Sequence, residues 1–415
     1  MIRTTLLALV FTLLAPVAAA QQLRSFKSRC YQVHTDAPAA DAQAVAAHMD
    51  AVYTEYSNRF KAFAVKSSDP AKLYLFAKQD DYLKFLDARD IDASNTSGIF
   101  FARGPDIGLA TYLEGHASTE MYHVLQHEGF HQFAHARIGP DLPQWANEGL
   151  AEYFGQAILV KGRMRLGVAP ESRIVAMNMA IRTKTAWPFK QLIELSNEDW
   201  NKEVARGGPR AGLLYDQSWT VVHFLVHAQN GKFADAFGNY LKLVSGGVAL
   251  NQAFKQAFGS EDTAPFEAAW RRFMADEIEP DSVSTALERL DFLADGAKLL
   301  AAEGVQVRTM EDLKAALQRI GYTRTLTRDK IKIVQNSSDE ALFDPPPGDD
   351  PRKPVKIEVV PPGALRPGEN GRNAGRNAQN AKNTPVSFRV TGLRVGIRMS
   401  WDTRSEEPRA RIEFE

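Results

Sequence analysis

His127-Glu128-Gly129-Phe130-His131 sets two imidazoles four residues apart with a carboxylate between them. On a helix, side chains four apart are offset by only about 40° and lie roughly 6 Å apart along the axis, so both rings can reach one metal ion from one face. The flanking residues 118–137 contain no proline and a single glycine, Gly129, which suits a helix. Glu128 then stands where its carboxylate can take a proton from a metal-polarised water. Zinc suits this chemistry at neutral pH, because it lowers the pKa of its water to about 7 and polarises a carbonyl.

A catalytic zinc site needs a third protein ligand and an open fourth position. Pro143-Gln144-Trp145-Ala146-Asn147-Glu148-Gly149-Leu150-Ala151-Glu152-Tyr153-Phe154 offers that ligand on a second helix. Pro143 suits its first turn and Asp141 can cap it. The short turn Ile138-Gly139-Pro140 makes the two helices neighbours, so Glu148 can point back at the ion. Glu152 is the alternative ligand; otherwise it is expected to hydrogen-bond a ligand imidazole. His123 and His135 continue the spacing of four, but each step rotates them away from the metal direction. They read as supporting or surface groups.

HEGFH followed by NEGLAEYF resembles the gluzincin metallopeptidases, most closely the small bacterial peptidase-MA-like group. The resemblance covers roughly residues 30–275. Residues 214–225, from Leu214-Tyr215-Asp216-Gln217-Ser218-Trp219 to Leu225, resemble the family's downstream helix, and residues 258–271 its closing helix. Sixteen residues separate His131 from Glu148, slightly fewer than in the large aminopeptidases of that clan. The resemblance implies an α+β, zincin-like catalytic domain: a small mixed sheet, an active-site helix and a helical C-terminal half. It implies one Zn2+ per chain on His127, His131 and Glu148. Glu128 would be the general base for a metal-bound water attacking a peptide bond. A downstream tyrosine or histidine in this clan often meets the oxyanion. That role falls to Tyr215, with His223 next, beside the plainer reading of Tyr215 as a core residue.

The implied partner is a peptide or protein substrate, with no exopeptidase signature in the chain. Two other classes fit the motif. One is a zinc-retaining binding or scaffold protein of the cell envelope, which would have no use for the base Glu128. The other is a zinc hydrolase acting on a non-peptide amide.

Composition narrows the setting. The 415 residues carry 50 basic and 50 acidic side chains, so net charge gives no general argument for nucleic acid. No stretch after the N-terminus is apolar for long enough to span a bilayer. Arg3, the apolar residues 6–14 and Ala18-Ala19-Ala20 read as a secretory signal over residues 1–20, implying a periplasmic or secreted protein. Cys30 is the only cysteine, so an internal disulfide is excluded. Oligomeric state is not written in the sequence.

Apolar spacing predicts a helix over 39–60 and strands over 72–76, 98–102 and 107–113. A hairpin is expected across residues 158–168, and mostly helix from 175 to 289. The catalytic domain is therefore placed at 21–280 and a helical extension at 281–335. Residues 336–385 are rich in Pro, Gly and Asn and read as a disordered linker. A short β-rich tail at 386–415 is too small for its own core. From 351 to 411 there are thirteen Lys and Arg against five Asp and Glu, a basic excess read as a solvated surface. Truncation after about residue 335 is expected to leave a folded, metal-binding domain.

Overall fold

The computed structural model describes residues 23–63, 69–116, 118–140, 142–328, 331–348, 350, 352–362, 384–402 and 408–415. The expected signal peptide, the cap Asp141 and most of the glycine- and asparagine-rich stretch lie outside these residues. The fold is mixed α+β, and about half of the described residues are helical.

The N-terminal half runs β1 (Arg24–Lys27), β2 (Tyr31–Thr35), α1 (Ala39–Arg59), β3 (Ala71–Phe76), α2 (Gln79–Asp87), β4 (Gly98–Arg103), β5 (Asp106–Tyr112), α3 (Ser118–Arg137) and α4 (Gln144–Gly155). Its five strands form one sheet in the order β1-β2-β3-β5-β4, with β4 at an edge. β2, β3 and β5 run parallel, while β1 and β4 pair antiparallel with their neighbours. Side chains alternate between two faces, as strand geometry demands. Leu73, Leu75 and Leu109 join the main core under α1 and α3. Tyr74, Phe76 and Ala110 join Tyr82 and Leu86 of α2 on the other face.

A hairpin follows, β6 (Ile158–Val160) and β7 (Arg163–Arg165). Then come α5 (Glu171–Arg182), α6 (Phe189–Glu194), α7 (Asn197–Arg206), α8 (Gly208–Gly231), α9 (Ala234–Ser245), α10 (Leu250–Phe258) and α11 (Ala264–Arg272). These helices enlarge the main core through Trp200, Trp219 and Trp270, which join Trp145 of α4, all buried.

The C-terminal third differs from the sequence expectation. α12 (Ser282–Ala302), α13 (Met310–Arg319), a hairpin of β8 (Thr323–Arg328) and β9 (Ile331–Asn336), and β10 (Lys356–Val360) precede β11 (Ser387–Thr391), β12 (Ile397–Asp402) and β13 (Arg409–Phe414). β10 falls within the stretch read as a linker, yet it pairs antiparallel with β11 over five residues. The sheet β10-β11-β12-β13 packs on α12 and α13 around Leu290, Phe292, Leu293, Phe388, Val390 and Ile397. The tail thus shares a core with the helical extension. Strand β10 carries the apolar Ile357, Val359 and Val360, a short signal that the flanking Pro and Gly composition hides.

Candidate metal centre

Two close approaches position the site. A Cβ on Gly149 of α4 would lie 2.5 Å from the Ser218 carbonyl oxygen, so only glycine lets α4 and α8 meet there. A Cβ on Gly98 would overlap Val124 Cγ1, so glycine also lets β4 close on α3. The first contact brings the Tyr215 segment toward Glu148. The second brings Phe100 to Glu128. Helix α4 begins one residue later than expected, with Pro143 at its cap position in extended conformation.

The α3 and α4 side chains converge. His127 Nε2 and His131 Nε2 are 3.0 Å apart. Glu148 Oε2 lies 3.4 Å from the first and 3.3 Å from the second. Atoms about 2.0–2.1 Å from a tetrahedral zinc ion stand about 3.4 Å from each other, so this trio has the spacing of a zinc ligand set.

The other nitrogen of each ring explains how they are aimed. His131 Nδ1 lies 3.2 Å from Asn147 Oδ1, and His127 Nδ1 lies 2.9 Å from Glu152 Oε1. With an acceptor at each Nδ1, the neutral rings carry their hydrogens there and turn both Nε2 lone pairs to one point. Glu152 is fully buried. It pairs with Arg173 Nη1, and Arg173 Nε donates to Asp216 Oδ1 at 2.7 Å. A buried polar chain therefore runs from His127 through Glu152 and Arg173 to the residue beside Tyr215.

His123 Nε2 is 3.8 Å from Glu152 Oε1, so His123, His127 and Glu152 form a second group that overlaps the first at His127. Either His/His/Glu group could hold a metal ion. The Arg173 partner of Glu152 favours the first, because its carboxylate is already neutralised.

Electrostatics match a cation site. Burial presses the His127 pKa down, but its hydrogen bonds to the Glu148 and Glu152 carboxylates and their charge lift it well above its ordinary value. His131 is raised too, burial being outweighed chiefly by the charge of Glu148. Burial would raise Glu148, yet His131 and His127 hold it down at about 2. Burial likewise opposes Glu152, but Arg173, then His123 and His127, keep it well below the carboxylate range. Raised imidazoles beside a depressed carboxylate mark a place that favours positive charge, which a divalent cation would supply.

Glu128 points to the sheet. Its Oε2 accepts the Phe100 backbone N–H at 2.7 Å, on edge strand β4. Tyr215 is 7% exposed, stacks edge-on against Trp200, and lines the same cavity as His127, Glu128, His131 and Glu148. That cavity encloses about 800 Å³. His223 goes elsewhere: its ring packs against Tyr153, Trp219 and Phe273, and its Nε2 lies 3.2 Å from the Gly167 carbonyl. Burial, then His227, lowers its pKa to about 3. His135 sits beside the Phe100 ring.

Sequence reasoning missed Asn147, Arg173 and Asp216. Asn147 had a usable signal, since it immediately precedes Glu148. Arg173 had none, because its partner lies 21 residues away on another helix.

A family model described as "Protein of unknown function (DUF1570)" matches residues 122–243. The match contains both His/His/Glu groups, Arg173 and Tyr215. No curated protein matches the chain. Among the described residues, no helix is long and apolar enough to cross a membrane.

Proposed function

We propose that this chain is an exported zinc-dependent peptidase with a zincin-like catalytic domain. The observation that carries the reading is the convergence of His127 Nε2, His131 Nε2 and Glu148 Oε2 while both Nδ1 atoms face acceptors. A zinc ion held by these three residues would supply Lewis acidity, polarising water and the scissile carbonyl.

The chain's own groups do the rest. Glu128 takes the proton of the attacking water and returns it to the leaving amine. Its hydrogen bond from Phe100 fixes the carboxylate beside the edge of β4. An extended peptide can pair with such an edge through its backbone, which sets the carbonyl against the base. Tyr215, at the cavity wall, donates its hydroxyl to the oxyanion as it forms. Asn147 and Glu152 keep the two imidazoles in one tautomer, and Arg173 holds Glu152 ionised.

The test is a broad peptide-library cleavage profile of the chain without residues 1–20, with and without zinc, beside a Glu128→Ala variant. Cleavage that needs zinc and disappears in the variant supports the reading. Zinc binding without cleavage of any peptide overturns it, and turnover of other amides would move the assignment to a non-peptide amide hydrolase.

A further inference from the structure

We infer that the described parts of α12, β8 and β13 form a latched wall over the candidate site, one that admits an extended chain and shuts out a folded surface. The wall stands on geometry alone; naming a polypeptide as the chain it admits rests on the peptidase reading.

The cavity that holds His127 and Glu128 is bounded on one side by Asp291 of α12, Arg324 of β8, and Arg409 and Phe414 of β13. A region that composition marks as an appendage thus lines the same space as the ligand set. Its volume of about 800 Å³ is that of a site for a small molecule or a short chain segment.

The two flanks of this wall are attached by different physics. On the hairpin side, Ile158 and Val168 are buried in the same apolar cluster as Val283, Leu287 and Leu290. Arg289 adds an ion pair to Glu171 at 2.9 Å. On the α1 and α3 side, β13 lies against α3, and three polar ties join the wall to these helices. Arg409 Nη1 meets Asp41 Oδ2 at 3.0 Å, Arg324 Nη2 meets Glu120 Oε2 at 3.3 Å, and Thr119 bonds Asp291. Met121, Leu125, Phe130 and Phe133 of α3 belong to the main core, whereas Ile412 and Phe414 of β13 pack on the C-terminal one.

Apolar burial holds firmly, but partly exposed ion pairs add little net stability and are screened by salt. An element fixed in this way on one flank and latched on the other opens about the fixed flank. The latch spans the first turn of α3 and the start of α1, and Asp41, Thr119, Glu120, Arg324 and Arg409 all line the cavity. When shut, it leaves room for a single extended chain to reach Glu128.

The test needs no turnover and no metal. In a full-length Cys30→Ser background, Val124→Cys places a thiol on α3 in the cavity wall with little change of volume. Its labelling rate is measured with N-ethylmaleimide and with a maleimide carried on a bulky polymer. The same measurement is made after Asp41→Ala and Glu120→Ala, neither of which belongs to the proposed chemistry.

The small reagent should label both proteins equally. The bulky reagent should label the parent slowly and the latch variant about tenfold faster, the change in open population expected for losing two such pairs. High salt should speed bulky labelling of the parent in the same direction. Equal bulky labelling of parent and variant, or parent labelling as fast as by the small reagent, overturns the wall. In a separate arm, an unfolded protein should be cleaved in preference to its folded form. Cleavage of neither sinks the peptidase reading, while the labelling result still decides the wall.

Discussion

The backbone N–H of Phe100 donates to the Glu128 carboxylate across 2.7 Å, tying the residue between the two site histidines to the sheet's edge strand. A carboxylate held in this way is oriented before any substrate arrives. Glu128→Gln keeps an oxygen to accept that N–H, so fold and metal content should be unchanged. Peptide turnover should fall by about 10²–10⁴, the usual contribution of a positioned base. Elemental analysis beside a cleavage assay checks both halves. A variant that retains turnover would remove Glu128 from the chemistry.

The two overlapping His/His/Glu groups make opposite demands on Glu148 and Glu152. Glu148→Gln should lose most metal affinity, because it removes a ligand. Glu152→Gln should weaken binding by about 10–100-fold, as expected when the group orienting a ligand imidazole is changed. It should also cost about 3 kcal/mol of stability, since Arg173 is left buried with its charge uncompensated on that side. Zinc titration and denaturant melts separate these outcomes. If Glu152→Gln releases the ion and Glu148→Gln retains it, the ion belongs with His123, His127 and Glu152.

Tyr215→Phe removes a hydroxyl at the cavity wall and keeps the ring that packs on Trp200. If the hydroxyl meets the oxyanion only in the transition state, kcat should fall while KM stays nearly constant. A loss of melting temperature with unchanged kinetics would return Tyr215 to the core. His223 is a poor substitute, since its Nε2 already faces the Gly167 carbonyl.

What could be read in advance follows interaction range. The α3 and α4 helices and the His127, His131 and Glu148 set were legible because helical periodicity alone brings the histidines together, and a short turn brings Glu148. Strands β3, β4 and β5 were legible from the spacing of their apolar residues. Arg173 was not, because nothing local distinguishes a buried arginine from a surface one. The β-rich tail at 386–415 was legible, but strand β10 before it and the core the tail shares were not, for a related reason. The tail's core partners are Leu290 and Leu293 on α12, about a hundred residues before β11–β13. Composition in a local window reports only whether a segment can bury itself, and this one is buried by a distant helix.

Asp291 gives the protein a pH dependence away from the metal ligands. Burial raises its pKa from 3.8 to about 7, against the opposing pull of Arg324 and Thr119. The folded state therefore binds this proton more tightly than the unfolded chain. The stability it contributes is full below pH 3.8 and is lost as pH rises through about 7. Asp291→Asn can still accept from Thr119 and has no proton to lose. Above pH 7 it should be more stable than the parent by on the order of 1 kcal/mol, a small figure because solvent reaches the cavity wall. Below pH 4 the two should melt alike. A variant less stable than the parent at pH 8 would show that the ionised pair with Arg324 outweighs the burial cost.

Truncation distinguishes the observed C-terminal core from the linker-and-tail organisation. A cut after residue 335 removes Ile357, Phe388, Val390, Ile397 and Met399, all buried against α12 and α13. At about 1.5–3 kcal/mol for each side chain, the loss is about 10 kcal/mol, comparable to the whole stability of a domain. The helices left behind would expose Phe292, Leu293 and Leu300 as an apolar face, so this protein should aggregate. A deeper cut after Ile278 removes α12 and α13 together with the sheet. It uncovers chiefly Ile158 and Val168 of the buried C-terminal cluster and leaves the main core, with Phe273 and Met274, whole. The shorter protein should therefore be the more soluble of the two and should still bind metal. Expression of both, followed by gel filtration and zinc analysis, checks the order. A soluble, metal-binding protein ending at 335 would mean that the four-stranded sheet rests on α12 without stabilising it, and the composition-based boundary would then stand.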